Sequence, residues 1–455
     1  MLSIIGIIKP IIIPSMILSI LWGLYRALIK RDEAAGLALY IMLIIVADNY
    51  YQVGIKVPML EQGTIRYSEV LFLVLYFLYY REKSQRIELK IKFFIILYFS
   101  LFLFAAFRGK TLWDGMWNFR AYMIPQIISV FISMRSTRSN EFYRNFFFYI
   151  AILCIFMGVI VFWDKFYDIN ILHPKSVVGF YYYFPRSQGR FGSLFLNPNM
   201  YGAFIVLIFF NLLYCFWELK GLIKKVILIV SILLTAFGLI LTHSRGPLAA
   251  MVCACFIFLI LPIPSLPSRK KIPLLGGLIL ILFLLMPGFY ETASRRFVYD
   301  NPEYEQDPTK VSRMTTWGMT IELIKKNPLF GIGLGEREYV TSVRSETDFI
   351  SRYGRTLHNP HNSYLQIAVM AGVIALFCFV VTNVNILWKC LRMVYNKVNI
   401  SKNLLVSCLI SGITGFLLTI MVDQSMFTSV ASIYWIMLGF SYSLCIEKSN
   451  SKGLG

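Results

Sequence analysis

The sequence predicts an all-α membrane protein with about 12 or 13 transmembrane helices and one large external loop between the late spans. Three observations predict this fold class: the composition, the repeated apolar runs and the distribution of basic residues. Of the 455 residues, 57% are hydrophobic and 15% are charged, whereas a soluble protein carries about 25% charged residues. The mean hydropathy of +0.65 agrees with a chain that lies largely in lipid.

Apolar runs close to the length that crosses a bilayer as a helix, about 17–25 residues, recur from end to end. The clearest are Ile4–Leu24, Tyr67–Tyr80, Ile91–Phe107, Phe146–Trp163, Tyr201–Trp217, Val226–Leu241 and Ser363–Trp388. Shorter or interrupted runs are Ala34–Ala47, Trp117–Ser133, Leu248–Leu261, Leu274–Met286, Leu404–Met421 and Thr428–Leu444. The first run lacks the flanks of a removable signal peptide. We therefore expect residues 1–455 to form a single polytopic membrane domain.

The formal net charge of +20 is distributed in clusters that follow the odd-numbered runs. These clusters are Arg26, Lys30 and Arg31; Arg81, Lys83, Arg86, Lys90 and Lys92; Arg135, Arg138 and Arg144; Lys220, Lys224 and Lys225; Arg269, Lys270 and Lys271; and Lys389, Arg392, Lys397 and Lys402. This alternation is the positive-inside pattern and places these loops in the cytoplasm. The charge therefore indicates topology and contact with membrane lipids, and we expect no nucleic-acid partner.

The remaining loops are then external, and they contain all four histidines, His173, His243, His358 and His361. The longest external segment is Pro287–Asn362. We expect this segment, residues 287–362, to form an extracytoplasmic subdomain. Chemistry that uses the histidines would thus occur at the external face.

The eight cysteines lie in apolar runs or at predicted cytoplasmic ends, so the sequence predicts no disulfide framework. Cys253 and Cys255 are two residues apart, and residues with that spacing do not face one another on a helix. We interpret both as packing residues. We expect neither a metal site nor a cofactor.

Two arginines stand beside apolar runs at the external face. Arg190 precedes Asn197-Pro198-Asn199, in which Asn199 is a good N-cap for the next helix, and helix N-termini favour anions. Arg245 lies between two apolar runs with almost no loop, and a permanent cation so close to hydrocarbon is usually functional. The structural alternatives are pairing with lipid headgroups for Arg190 and a snorkelling helix end for Arg245.

The long external segment contains a helical pattern and a glycine run. Trp317, Ile321 and Ile324 have helical spacing, Arg313 lies near the start, and Asn327-Pro328 ends the helix. We expect this helix on or in the outer leaflet surface. The glycines that follow, at 331, 333 and 335, lack the Lys-Ser/Thr of a phosphate loop, so they favour a flexible turn.

His361 and Asn362 stand at the mouth of the run Ser363–Trp388. A neutral imidazole can take a proton from an attacking hydroxyl near neutral pH, which arginines and amides cannot do. The alternative is a helix-capping histidine. Topology brings His361 to the same face as Arg190, Arg245 and Arg313, whose guanidinium forks suit the oxygens of a diphosphate.

Together and in this order, these motifs resemble the O-antigen ligase and O-antigen polymerase superfamily of bacterial envelope glycosyltransferases. The matching residues are Arg190 with Asn197-Pro198-Asn199; Thr242-His243-Ser244-Arg245-Gly246; Arg313, Trp317 and the run from Asn327 to Gly335; and His361-Asn362-Ser363-Tyr364-Leu365. The resemblance extends from about Phe180 to Ala375. The first spans match only as generic membrane helices.

The resemblance implies metal-independent use of a glycan linked to undecaprenyl diphosphate, at the outer face of the bacterial cytoplasmic (inner) membrane. It implies that Arg190 and Arg245 hold the diphosphate and that His361 is the catalytic residue, acting on the acceptor hydroxyl. The other substrate-binding residues that it implies are Arg313, Asn199, Ser244, His358 and Asn362.

The sequence departs from the family at two positions. Met370 stands where many relatives carry an acidic residue, and Ser193 stands where a glycine is common. The first departure puts in doubt a supporting carboxylate on that helix, for which Asp423 is a candidate replacement.

Three functional hypotheses follow. An O-antigen ligase-like enzyme would move the glycan en bloc to an acceptor such as lipid A–core, whereas a polymerase of O-antigen or exopolysaccharide would add it to another lipid-linked repeat. The expected partners are thus the lipid-linked glycan, an acceptor lipid or glycan, and membrane lipids; the oligomeric state stays open. A third hypothesis, a transporter of lipid-linked sugars, is less favoured because neither internal repeats nor broken helices are evident in the sequence.

Overall fold

The computed structural model describes residues 18–49, 54–56, 64–80, 87–109, 111–134, 138–167, 189–195, 197–263, 308–346, 359–396 and 400–446. The first helices are α1 (Leu18–Ile29), α2 (Glu33–Asn49), α3 (Tyr67–Leu75, continued by a π-helical turn to Tyr80), α4 (Leu89–Phe107), α5 (Leu112–Asn118), α6 (Ile124–Met134) and α7 (Asn140–Tyr167). A π-helical segment, Phe119–Met123, joins α5 to α6.

The second part of the chain continues with further helices. They are α8 (Pro198–Glu218), α9 (Leu222–Leu241), α10 (Arg245–Ile260), α11 (Pro308–Lys326), α12 (Glu336–Glu346), α13 (Ser363–Ala371), α14 (Val373–Tyr395), α15 (Ile400–Thr419) and α16 (Ser429–Ile446). Two short strands, β1 (Gly54–Lys56) and β2 (Thr64–Arg66), pair antiparallel with Ile55 opposite Ile65.

Seven of the described helices are long and apolar enough to cross a membrane: α4, α7, α8, α9, α14, α15 and α16. Shorter apolar helices, α1, α2, α3 and α10, accompany them. The protein is therefore an all-α polytopic membrane protein, as the sequence predicts. The predicted run Leu274–Met286 lies outside the described residues, so the total of 12 or 13 spans stays a prediction, as do the domain limits 1–455 and 287–362.

Helices α8, α15 and α16 form the centre of the bundle because they are buried almost all round. A helix that is apolar on every face needs such a place, and small residues let the backbones come close. A Cβ on Gly412 of α15 would lie 2.4 Å from the Leu207 carbonyl oxygen of α8, and one on Gly439 of α16 would lie 1.8 Å from Ser133 Oγ of α6.

Ion pairs hold together the end of the bundle at which the predicted cytoplasmic clusters lie. Arg138 Nε lies 2.8 Å from Glu33 Oε1, and its guanidinium stacks over the rings of Phe142 and Phe440. A second pair joins Lys389, in α14, to Glu88, which precedes α4. Basic clusters from several predicted cytoplasmic loops therefore lie at one end, which agrees with the alternation read from the sequence.

The predicted span Ser363–Trp388 is not one helix, because the chain reverses at Gly372. The rings of Tyr364 and Phe379 lie 6.0 Å apart between centroids, whereas a continuous helix would separate these residues by about 22 Å along its axis. Gly372 has φ 89, a conformation that favours glycine. Helices α13 and α14 therefore form an antiparallel hairpin, and only α14 is long enough to span.

The glycine run after α11 binds the tip of this hairpin and is not a flexible turn, which corrects the sequence interpretation. The hydrogen bonds run from Ile332 N–H to Val369 O (2.8 Å), Gly333 N–H to Met370 O (3.2 Å), Val373 N–H to Pro328 O (2.8 Å), Leu334 N–H to Ala105 O (3.1 Å) and Arg108 Nη1 to Gly331 O (2.8 Å). Two of them bond carbonyls at the C-terminal end of α13, which a helix leaves without internal partners. The tip lies beside the last residues of α4, at the end of the bundle opposite the ion pairs.

Candidate functional site

The first part of the site is a hydrogen-bonded group that we call the arginine cluster, formed by Arg190, Asn199, Thr242 and Ser244. Arg190 Nε donates to the Thr242 carbonyl oxygen (3.1 Å), and its Nη2 donates to Asn199 Oδ1 (2.8 Å) and Ser244 Oγ (3.0 Å). Ser244 Oγ donates to Asn199 Oδ1 (2.7 Å). These three acceptors are neutral oxygens, so the bonds orient the guanidinium without cancelling its charge.

Two helices begin at the arginine cluster. Asn197, and not Asn199, is the N-cap of α8: its side chain accepts from the Asn199 N–H (2.8 Å), and Pro198 occupies the first helical position, which suits proline. The predicted capping role of Asn199 is therefore wrong, and its Oδ1 serves Arg190 instead. Ser244 is the N-cap residue of α10.

A tight turn between α9 and α10 fixes the segment that carries Arg190. His243 in this turn has φ 45, a left-handed conformation that only a few residue types adopt readily. The Phe191 N–H donates to the Leu241 carbonyl oxygen (3.1 Å), so the residue after Arg190 is tied to the last residue of α9. Arg190 is thus fixed through the backbone of its neighbour as well as through its own guanidinium group.

A path of direct contacts leads from the arginine cluster to the start of α13. Arg245 is exposed at the start of α10, and the next residue, Gly246, packs so closely on the turn after α15 that a Cβ would lie 2.5 Å from Val422 Cγ2. The carbonyl oxygen of Asp423 accepts from both the N–H (3.0 Å) and the Oγ (2.8 Å) of Ser363. The structure therefore brings the arginine and histidine motifs to one region.

His361 is exposed two residues before α13 and has φ 48. Its N–H donates to Asn359 Oδ1 (3.0 Å). The N-cap of α13 is Asn362, whose Oδ1 accepts from the N–H groups of Tyr364 (3.0 Å) and Leu365 (3.1 Å). Asn362 is thus the residue that caps α13, and the alternative interpretation of His361 as the capping residue is wrong.

Asp423 lies at the start of α13, whereas Met370 lies at its far end, bonded through its carbonyl to Gly333. The buried Asp423 side chain accepts a hydrogen bond from Ser425 Oγ. The Asp423 carboxylate thus belongs to the turn whose backbone binds Ser363, two residues after His361, whereas Met370 lies at the opposite end of α13.

The structure places one further predicted residue only by its backbone and another not at all. Arg313 lies in α11, four residues before Trp317, but its side chain is outside what the structure describes, and His358 lies outside the described residues altogether. Trp317 Nε1 donates to the Pro360 carbonyl oxygen (2.8 Å), which attaches α11 to the residue before His361. Sequence reasoning missed the contacts of Thr242, Ser363 and Trp317, since each depends on a segment distant along the chain.

The electrostatics of the region favour an anion. Helices α8, α10 and α13, with N-cap residues Asn197, Ser244 and Asn362, all begin here, and each helix N-terminus acts as about +0.5 elementary charge. Arg190 and Arg245 add two permanent cations. Among the described residues, no group of three His, Cys, Asp or Glu side chains could hold a metal ion.

A comparison with family models matches a segment that contains most of the residues of this site. Residues 230–380 match the Wzy_C family model, O-antigen ligase. This match confirms the resemblance to the O-antigen ligase and polymerase superfamily and supports a glycan ligase or polymerase activity. A search of curated proteins finds no match.

The O-antigen ligase match covers one part of the site and leaves the other to geometry. The motifs of Ser244, Arg245, Arg313 and His361 lie within residues 230–380. Arg190 and Asn199 precede the matched segment, so their place in the site depends on their hydrogen bonds to Ser244 and Thr242. The protein is a multi-pass membrane protein that is similar to O-antigen ligases over residues 230–380, and its best-defined polar cluster lies at one end of the bundle.

Proposed function

We propose that this protein moves a glycan en bloc from undecaprenyl diphosphate to an acceptor hydroxyl, such as one on lipid A–core. The reaction would occur at the outer face of the bacterial cytoplasmic membrane, without a metal or other cofactor. One observation carries the proposal: a continuous path of contacts joins the arginine cluster, through Gly246 and Val422, to the start of α13 beside His361.

The proposed donor is an anionic diphosphate, and the charge of the region supports it. Arg190 and Arg245 would bind the diphosphate oxygens, for which guanidinium forks provide paired N–H donors. Helix N-termini favour the same charge. We extend this binding set to Arg313, Asn199, Ser244, His358 and Asn362, as the family resemblance implies.

The chemistry is a displacement at the anomeric carbon of the glycan. The acceptor oxygen forms the new bond to this carbon while the bond from the carbon to the phosphate oxygen breaks. His361 takes the proton of the acceptor hydroxyl, and undecaprenyl diphosphate leaves with the electron pair, stabilised by the arginines. The exposure of His361 supports this role because an acceptor can reach it.

The proposal for His361 is tested by two substitutions. His361→Ala should abolish transfer, but alanine is disfavoured at φ 48, so a second variant is needed to exclude strain. His361→Asn keeps a residue that tolerates the left-handed conformation while it removes the imidazole. Normal transfer by His361→Asn, in protein that reaches the membrane, would refute the role of the imidazole.

A matched control comes from α11. Lys325 in α11 is exposed and pairs only with Glu322 one turn before it among the ion pairs described for that helix. Lys325→Ala should therefore transfer glycan at the level of the unsubstituted protein. The read-out is electrophoresis of surface glycan from cells that carry each variant.

The same electrophoresis separates the ligase from the alternatives in a strain that lacks the protein. Long chains that stay on the lipid carrier and never reach the acceptor would indicate a ligase. Single repeats attached to the acceptor would indicate a polymerase of lipid-linked repeat units. Loss of a transporter would leave the lipid-linked glycan at the cytoplasmic face. Transporters often contain broken helices near the middle of the membrane, whereas the break at Gly372 lies at an end of the bundle.

A further inference from the structure

The peptide group that precedes His361 is held at both of its polar atoms. Its carbonyl oxygen, which belongs to Pro360, accepts from Trp317 Nε1 (2.8 Å), and its N–H, which belongs to His361, donates to Asn359 Oδ1 (3.0 Å). A peptide group is planar, so these two bonds fix the orientation of the plane that carries the His361 Cα.

The backbone after the histidine is fixed as well. Ser363 donates to the Asp423 carbonyl oxygen through its N–H (3.0 Å) and its Oγ (2.8 Å). His361 itself has φ 48, a conformation that residues with a side chain adopt only where the surroundings determine it. The direction of the Cα–Cβ bond that carries the imidazole is therefore set by contacts on both sides of the residue.

Trp317 belongs to a helix that lies alongside α13 and is attached to it at two places. At one end, Trp317 bonds Pro360, just before α13; at the other, the glycine run after α11 bonds Val369 and Met370, at the end of α13. The second attachment does not involve the indole. Loss of the indole N–H alone should thus leave α11 and α13 packed together.

We propose that Trp317 is a positioning residue for His361. Its indole N–H fixes the Pro360 carbonyl group, and through that peptide plane it sets the direction from which the imidazole meets the acceptor hydroxyl. This inference rests on the proposed role of His361 in transfer. Trp317 itself need not contact either substrate.

The variant Trp317→Phe removes the N–H and keeps a large aromatic ring. We expect the full-length purified protein to retain its thermal transition and its KM for the donor, because neither the glycine attachment nor the arginine cluster is changed. Turnover should fall by about 10- to 100-fold, since small misplacements of a reacting group have effects of this size. The donor and acceptor used are the lipid-linked glycan and acceptor glycolipid extracted from the strain that lacks this protein.

A matched control is Trp113→Phe. Trp113 is exposed at the start of α5, where its ring stacks on Trp117, and it has no part in the site. This variant should have the turnover of the unsubstituted protein. Equal turnover of Trp317→Phe and Trp113→Phe would overturn the proposal, and so would a changed donor KM with unchanged turnover.

A double variant separates positioning from packing. If Trp317 acts only through the imidazole, Trp317→Phe should cause no further loss in the His361→Asn background, with residual transfer measured in added imidazole and compared with a sample without enzyme. A further loss of tenfold or more would mean that the indole acts elsewhere. Full activity of His361→Asn alone would instead refute the proposed function, so the two failures are distinguishable.

Discussion

The reversal of the chain at Gly372 predicts that even one added methyl group will disrupt the end of the bundle at which the tip of the hairpin lies. A Cβ at this position would lie 1.9 Å from the Leu329 carbonyl oxygen and 2.4 Å from its carbon, and φ is 89. Gly372→Ala therefore combines backbone strain of about 1–2 kcal/mol with displacement of the glycine run. That displacement would break the bonds to Pro328, Val369 and Met370, each worth about 1 kcal/mol.

The expected destabilisation of Gly372→Ala is thus about 4–5 kcal/mol. The control is Gly221→Ala, since the difference between the two variants gives the part of the destabilisation that comes from the steric clash. Gly221 also has positive φ, 100, but nothing lies within 4 Å of the position of its Cβ. The assay is the temperature at which half of the detergent-purified protein leaves the folded chromatographic peak. A clearly lower temperature for Gly372→Ala than for Gly221→Ala is expected; equal temperatures would refute the hairpin geometry.

Three further outcomes are expected. Arg190→Lys should keep the fold but reduce transfer at least tenfold, since one ammonium group cannot reproduce the separate bonds from Nε and Nη2; electrophoresis of surface glycan measures it. Ser363→Ala should lower stability by about 1 kcal/mol, because the Asp423 carbonyl keeps its bond from the N–H, and should also reduce transfer; unchanged transfer would count against the link to His361. Tyr339→Phe should destabilise by about 1 kcal/mol with transfer retained, because it removes the hydrogen bond between the Tyr339 hydroxyl and Thr320 Oγ1; a thermal shift measures it.

The sequence predicts most helices of this protein because apolarity and length are properties of local segments. The prediction of a single span at Ser363–Trp388 was wrong, since an apolar run indicates burial in lipid or protein but does not indicate where the chain reverses. Nothing local to Gly372 distinguishes a reversal from a glycine within a span. The cause is the Val373 N–H bond to Pro328, more than forty residues away along the chain.

The residues of the site were accessible from the sequence, but their contacts were not. Arg190, Arg245 and His361 stand out as polar groups beside apolar runs, and the family resemblance supplies their proposed roles. The sequence predicts Asn199 as the N-cap in place of Asn197, because both are asparagines that stand next to the start of the same helix. Only the position of the Arg190 guanidinium decides which asparagine is used for which bond.

The double attachment of α11 to α13 has a consequence for the length of chain that connects them. The relative placement of the two helices is determined by bonds at Pro360 and at the glycine run, so the connection between residues 346 and 359 does not have to supply it. Doubling the length of a connecting loop costs only about 0.6 kcal/mol of closure entropy. Insertions between residues 346 and 359 should therefore leave the backbone of His361 in its place.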